Sequence, residues 1–142
     1  MIDRRTKNAE IFRDTERRYT TDQALVQAVR QSTEAQVFIA EKATVSVPAP
    51  NKTEKAKVIV SGKRSLEAAE SYANQGKKVC VLNFASATNP GGGVVNGSSA
   101  QEECICRCTT LYPCLNTNQM WNAFYSPHRK AANPLYNNDC IY

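Results

Sequence analysis

Residues 78–97 have the sequence KVCVLNFASATNPGGGVVNG. The first part, Lys78–Phe84, is a nearly continuous apolar run, which is typical of a strand buried on both faces of a parallel sheet. Upstream, Lys57–Val60 is a short β-branched run, and Ser65–Gln75 consists of good helix formers that Gly76 would end. Strand, helix and strand with short connections predict a βαβ unit, and therefore an α/β fold with a parallel or mixed sheet.

The loop after this predicted strand contains three consecutive glycines, Gly91–Gly93. Ligands of parallel α/β sheets bind at the carboxyl ends of the strands, and residues without a Cβ can adopt positive φ and lie against a ligand. Their N–H groups, with the N-terminus of a helix predicted from Ser98 or Ser99 to about Thr110, would suit a phosphate or another anion. A flexible surface turn is the alternative explanation of the glycines.

The start of that helix contains Gln101, Glu102 and Glu103. Helix capping explains part of this pattern, because Ser98 with Gln101 and Ser99 with Glu102 both have capping-box spacing. Adjacent helical residues point about 100° apart, so one glutamate can serve the cap while the other faces the loop. The apolar run, the triple glycine and the acidic helix start together favour a ligand site.

The same segment closely resembles the bacterial-type poly(ADP-ribose) glycohydrolases. The resemblance is carried by Asn83–Ala87, Asn89–Gly93, Gln101–Glu103 and Leu111–Tyr112, with seven residues between the GGG and QEE motifs. The family has a macrodomain-like core preceded by a helical extension, which residues 4–19 also resemble. The resemblance therefore implies a helical extension over residues 1–35 and a partial macrodomain-like core over residues 36–142.

The resemblance also implies an activity, the hydrolysis of ribose–ribose O-glycosidic bonds in poly(ADP-ribose). Glu103 would be the catalytic acid and base, and Glu102 would hold ribose hydroxyls. The other implied substrate-binding residues are Gly91, Gly92, Gly93 and Val94 around the distal ribose and pyrophosphate, Gln101 as support of the loop, and Asn83, Ser86 and Asn89 at the ribose. A general acid needs a raised pKa whereas a helix N-terminus lowers it, and bound pyrophosphate near Glu103 is one answer to that conflict.

The alternative is a macrodomain-like module that binds ADP-ribose without turnover. In the family the chain continues beyond the position of Tyr142, so we expect a truncated domain that is an inactive fragment or self-associates through an exposed sheet edge. ADP-ribosylated proteins are the expected partners.

Composition limits the other function classes. The chain has 142 residues and a net charge of +5, which suits an anionic ligand, but no concentrated Lys/Arg face predicts specific nucleic-acid binding. It has no apolar run of membrane-spanning length and no signal-peptide pattern, which predicts a cytoplasmic protein with reduced cysteines. Cys104, Cys106 and Cys108 lack a second cysteine pair in reach, so free thiols are favoured over zinc, and we predict no metal and no cofactor.

Local patterns elsewhere predict helices, one short strand and a loop. Residues 3–18 are predicted to form a helix with Ala9, Ile11 and Phe12 as its apolar contacts, and Thr20 with Gln23 has capping-box spacing for the next helix. That helix would carry Leu25, Val26, Ala28 and Val29 inward and fade near Gln31–Ser32, before a strand at Gln36–Ile39 and a loop at Val45–Glu54. Trp121, Phe124 and Tyr125 are predicted to pack in a core or anchor a loop, with stacking on adenine as the alternative, and His128 is predicted at the surface.

Overall fold

The computed structural model describes residues 3–46, 49, 55–131 and 133–142. The chain forms two compact units, one made of Met1–Glu41 with Asn83–Tyr142 and the other of Lys42–Leu82. Its regular elements are α1 (Arg4–Thr21), α2 (Gln23–Ala35), β1 (Phe38–Ile39), α3 (Ser65–Ala73), a 3₁₀ turn (Val94–Asn96), α4 (Gln101–Cys108), α5 (Leu111–Leu115), α6 (Asn118–Met120), a π-helical turn (Trp121–Tyr125), α7 (Ser126–Ala131) and β2 (Cys140–Ile141). Most of the predicted loop at Val45–Glu54 lies outside the described residues.

The two N-terminal helices are joined at one capping residue. Asp22 ends α1, and its side chain then accepts hydrogen bonds from the backbone N–H groups of Ala24 and Leu25 at the start of α2. The predicted capping box of Thr20 is wrong, because Thr20 still lies in α1 and donates its hydroxyl to the Glu16 carbonyl at 2.9 Å. An aspartate that ends one helix and begins the next leaves no linker for a separate cap.

The first core cluster lies under α1 and consists of Phe12, Val94 and Cys106. Phe12 is fully buried and meets the ring of Tyr112 edge-on, with ring centroids 5.0 Å apart. Ile11, which was predicted to point inward, is instead exposed, as is Val26 of α2. Because Val94 follows the glycines and Cys106 belongs to α4, this cluster fixes α1 against the segment that carries the candidate site.

The second core cluster consists of Leu115, Met120, Phe124 and Tyr125. Helix α6, the π-helical turn and α7 follow one another without a break. The sequence pattern beyond Pro113 did not predict these helices. In the π-helical turn the side chains of two adjacent residues, Phe124 and Tyr125, both pack in the second core cluster. The predicted packing role of these two aromatic side chains is confirmed.

The sheet differs most from the prediction. Over the described residues it has two strands, β1 and β2, which pair antiparallel with Phe38 opposite Ile141. The runs Lys57–Val60 and Lys78–Phe84 form no strand, so the predicted βαβ unit and parallel sheet are not formed here. Val58 and Val60 are 87% and 93% exposed. A strand needs a neighbouring strand that pairs with its N–H and C=O groups, and among the described residues the two strands that pair are β1 and β2.

The helix between these runs follows the prediction closely. Helix α3 covers Ser65–Ala73, and Gly76 adopts φ +73° just beyond its end, the conformation in which glycine is favoured. Among the described residues no helix is long and apolar enough to cross a bilayer.

Candidate active site

The glycine loop is a compact series of turns. Gly91 and Gly92 have φ of +65° and +58°, which side chains with a Cβ rarely adopt. The loop is closed by backbone hydrogen bonds from Gly92 N to Asn89 O at 3.0 Å and from Val94 N to Gly91 O at 3.1 Å. Its backbone is therefore already in a conformation that lets N–H groups face a partner.

That partner is the carboxylate of Glu103 on α4. Glu103 Oε1 accepts a hydrogen bond from Gly93 N at 3.0 Å. The side chain is only 7% exposed, and Glu103 Oε2 is buried without a hydrogen-bond partner among the described residues. One oxygen is thus fixed by the loop, and the other keeps its capacity for a ligand or a proton.

Gly92 is the point on which both glutamates converge. A Cβ at Gly92 would lie 2.6 Å from Glu103 Oε1 and 3.3 Å from Glu102 Oε2. The missing side chain is therefore a steric requirement of the two carboxylates as well as of the backbone angle.

Glu102 is the more enclosed of the two glutamates, at 3% exposure. Its Oε2 accepts from the Ser86 backbone N–H at 2.8 Å, and its Oε1 accepts from the Asn83 side-chain amide at 3.3 Å. Burial raises the pKa of Glu102, the two hydrogen bonds oppose that rise, and the charge of Glu103 adds to it. Asn83 Oδ1 is itself buried without a partner among the described residues, so a further acceptor lies beside Glu102.

Gln101 connects the start of α4 to the segment before the loop. Its Oε1 accepts from the Phe84 backbone N–H at 2.9 Å. The capping boxes predicted for Ser98 and Ser99 are wrong, because the residue that caps α4 is Ala100, which has no side chain to cap with. The acidic helix start is therefore explained by contacts to the loop and to residues 83–86, with no part in capping.

The remaining predicted residues have other surroundings. Asn89 accepts a hydrogen bond from the Arg129 guanidinium, whose Nε also donates to the Thr88 carbonyl at 2.7 Å. That guanidinium lies over the Trp121 ring, 4.6 Å from its centroid. Val94 is fully buried in the first core cluster. The structure thus brings Gly92, Gly93, Glu102, Glu103, Asn83 and Ser86 together, while Asn89 and Val94 are engaged beside them.

Two further polar side chains near the glutamates are buried: Arg107, which was not predicted, and Tyr125, whose packing was. Arg107 donates to the Ser98 carbonyl at 2.5 Å and to Cys104 Sγ at 3.1 Å, and its own carbonyl accepts from Thr15. Its position four residues after Glu103 puts it on the same face of α4, so helical spacing contained the signal. Tyr125 is fully buried, and its hydroxyl has no hydrogen-bond partner among the described residues.

His128 is buried, which makes the predicted surface position wrong. It is 5% exposed, with Nδ1 2.8 Å from the Phe124 carbonyl and Nε2 2.7 Å from Asn137 Oδ1. Each ring nitrogen thus lies within hydrogen-bond distance of a polar atom, which explains why a histidine is tolerated in this interior position. It fastens the C-terminal segment to the second core cluster.

The cysteines remain free thiols. Cys106 is fully buried behind the glycine loop, and burial, with the charges of Glu102 and Glu103, raises the pKa of its thiol to about 12. The described residues include no group of three or more His, Cys, Asp or Glu side chains that could hold a metal ion.

A pair of buried carboxylates beside a glycine-rich loop suits the carboxylate chemistry that glycoside hydrolases use. The family described as "Microbial-type PARG, catalytic domain" matches residues 6–142, and the chain belongs to this family.

Two solved structures of poly(ADP-ribose) glycohydrolase from Thermomonospora curvata are similar to this chain, and one of them is bound to the inhibitor ADP-HPD. Each is 26% identical, superposes with a TM-score of 0.78 and covers 96% of this chain. The chain spans about half of their length, 54% and 52% respectively. No curated protein sequence matches the chain.

Proposed function

We propose that this chain carries the acid–base and ribose-binding part of a poly(ADP-ribose) glycohydrolase site, and that its function is to hydrolyse ribose–ribose O-glycosidic bonds. The observation that carries the proposal is the state of the Glu103 carboxylate. Gly93 N–H holds one oxygen at 3.0 Å, and the other oxygen is buried and unpartnered among the described residues. Membership of the family supports the same reading.

In this proposal Glu103 acts twice. Its protonated Oε2 gives a proton to the departing ribose oxygen as the bond from that oxygen to the anomeric carbon breaks, which leaves an oxocarbenium-like sugar. The carboxylate then takes a proton from the water that attacks the anomeric carbon, and this restores the acid. The bond from Gly93 N–H keeps the carboxylate in one orientation through both steps.

Glu102 would hold the hydroxyls of the ribose that is cleaved. Asn83 and Ser86 each donate to one of its oxygens, so the side chain is fixed, and a carboxylate oxygen can accept a further hydrogen bond from a ligand hydroxyl. Gly91, Gly92 and Gly93 would surround the distal ribose and pyrophosphate, while Val94, which is fully buried in the first core cluster, would anchor the loop behind them. Gln101 would support the loop, and Asn83, Ser86 and Asn89 would contact ribose.

The rest of the domain would complete the fold. We propose that α1 and α2 form the helical extension and that the exposed runs 57–60 and 78–84 become strands of a macrodomain-like sheet when they gain a neighbour. Their exposed apolar side chains, such as Val60 and Leu82, also suit self-association of the isolated chain. ADP-ribosylated proteins are the partners that this function requires.

The test combines calorimetry with ADP-ribose and release of ADP-ribose from poly(ADP-ribose). We expect Glu103→Gln to abolish release while it retains binding, because the amide keeps the shape but cannot cycle a proton. Glu70→Gln, at an exposed glutamate of α3, is the matched control and should change neither. Full release by Glu103→Gln would refute the assigned role. Binding without release in the unmodified chain would favour the ADP-ribose-binding module, and the absence of both would refute the proposal for this chain.

A further inference from the structure

A cleft with a volume of about 340 Å³ lies outside the candidate active site, since neither Glu102 nor Glu103 lines it. It lies between the start of α1 and the residues that follow the 3₁₀ turn. The residues that line it are Arg4, Arg5, Asn8, Gly97, Ser98 and Ser99. Nothing in the proposed acid–base chemistry uses it.

The cleft is positively charged. Two of its lining residues are arginines and none is acidic. Within the described part of the chain no carboxylate forms an ion pair with Arg4 or Arg5. Asp3 is the nearest acidic residue in sequence, and its carboxylate is already occupied by the N–H groups of Arg5 and Thr6 and by the Thr6 hydroxyl at the start of α1.

The walls of the cleft are fixed in advance. Arg5 Nε donates to the Asn96 carbonyl at 2.8 Å, and Asn8 donates its side-chain amide to the Gly97 carbonyl at 3.1 Å. Gly97 adopts φ +76° and packs so closely on Arg5 that a Cβ there would overlap the Arg5 carbonyl. The bond from Nε orients the guanidinium, and no described acceptor bonds its two Nη atoms, so they remain for a ligand.

The cleft shares a wall with the candidate active site. Ser98 N donates to the Gly93 carbonyl at 3.1 Å, and a Cβ at Gly93 would collide with the Ser98 hydroxyl oxygen. Gly93 in turn donates its N–H to Glu103. A single pair of residues therefore separates the arginine-lined cleft from the carboxylate that is proposed to cleave the substrate.

We propose that this cleft binds the pyrophosphate of a second ADP-ribose unit, on the leaving-group side of the bond to be cleaved. Guanidinium groups recognise phosphate oxygens with paired N–H donors, and serine hydroxyls supply further donors. The adjacent N-terminus of α4 has no side-chain cap and adds a favourable dipole. This inference rests on the proposed function and deepens it, because a lone ADP-ribosyl group lacks this second pyrophosphate and the cleft therefore selects polymer.

The test is an NMR titration with inorganic pyrophosphate, recorded on the backbone amides of Ser98 and Ser99. It is run with the free chain and again with ADP-ribose at saturation, which occupies the glycine loop. We expect pyrophosphate to shift these amides under both conditions, and the Arg4→Gln/Arg5→Gln variant to weaken that binding by about tenfold or more. The control, Arg13→Gln/Lys130→Gln, removes the same charge at two exposed positions outside the cleft and should weaken it by less than about twofold.

The single variant Arg4→Gln controls for a loss of folding in the double variant. Asp3 and Arg5 fix the start of α1, and the Arg4 side chain takes no part in this. It should weaken pyrophosphate binding at the same amides by roughly threefold or more. Unshifted amides, or equal weakening in the control, would overturn the second site and leave the role of Glu103 standing. A third outcome is that pyrophosphate shifts the Ser98 and Ser99 amides, that the arginine variants remove these shifts, and that the chain binds no ADP-ribose. This outcome would support the pyrophosphate site in the cleft and refute the proposed function.

A separate experiment tests whether the cleft binds the second ADP-ribose unit of a polymer. In a Glu103→Gln background, which blocks turnover, an oligomer of two ADP-ribose units should bind more tightly than ADP-ribose, and the arginine variant should remove that difference. A single-stranded RNA that binds at the same amides as tightly as the oligomer would overturn the assignment in favour of a nucleic-acid backbone.

Discussion

Replacement of Gly92 by alanine tests the geometry on which the site depends. The new Cβ would lie 2.6 Å from Glu103 Oε1, in a residue whose φ is +58°. The backbone strain of a non-glycine residue in this region costs about 1–2 kcal/mol. The carboxylate must also move, and the lost charge-assisted hydrogen bond from Gly93 costs roughly 1.5–3 kcal/mol. We expect the free energy of unfolding to fall by about 2.5–5 kcal/mol and ADP-ribose binding to be lost.

Substitutions at two other glycines separate the cost of backbone strain from the cost of displacing the carboxylate. Gly76 also has a positive φ, +73°, but a Cβ there meets nothing within 4 Å. Gly76→Ala should therefore cost only the backbone strain, about 1–2 kcal/mol, and leave ligand binding unchanged. Gly62 has open space and no positive φ, so Gly62→Ala should change stability by less than about 1 kcal/mol.

The assays are urea denaturation for stability and calorimetry for ADP-ribose binding. If Gly92→Ala lost no more stability than Gly76→Ala and bound ADP-ribose as the unmodified chain does, the close approach of Gly92 to the two carboxylates would be refuted. Loss of binding in Gly76→Ala would show instead that backbone strain at a glycine outside the candidate site suffices.

Two further predictions concern ionisation. Burial raises the pKa of Glu102 above its ordinary value of 4.5, so its contribution to stability is present below about pH 4.5 and is lost as the pH rises through the folded-state pKa. The unfolding free energy of the unmodified chain minus that of Glu102→Gln should therefore decrease between about pH 4 and pH 7 in urea denaturation, and a flat or rising difference would contradict this cause. Cys106 has a thiol pKa of about 12, and the thiolate is the form that reacts with iodoacetamide. At pH 8 Cys106 should therefore be alkylated at least about a hundredfold more slowly than the exposed Cys108. Equal labelling of the two cysteines in peptide mass spectrometry would refute the burial of Cys106.

The elements that the sequence predicted well are those with local causes. Helix α3 ends where Gly76 supplies a left-handed residue, and α1 forms where Asp3 offers a cap and charged residues give a solvated face. Gly91–Gly93 also meet the glutamates of α4, and only a short loop separates the two segments in the chain. Each of these outcomes depends on residues close together in the chain.

The strand predictions at 57–60 and 78–84 show the opposite case. Both runs have the right side chains, yet a strand exists only when another segment pairs with its backbone, and that partner is not encoded locally. The short strand at Phe38–Ile39 does form, because Cys140–Ile141, remote in sequence, lies beside it.

Burial of single polar residues is likewise decided by distant partners. His128 is interior because each of its ring nitrogens lies within hydrogen-bond distance of a polar atom, Asn137 Oδ1 or the Phe124 carbonyl oxygen, and Arg107 is interior because it donates to the Ser98 carbonyl. The sequence by itself determined the glycine loop, the acidic helix start and the family to which they belong. Only the tertiary structure decided which carboxylate oxygen is held and which is left unpartnered, and where the arginines of α1 come to rest, because those outcomes depend on contacts between segments far apart in the chain.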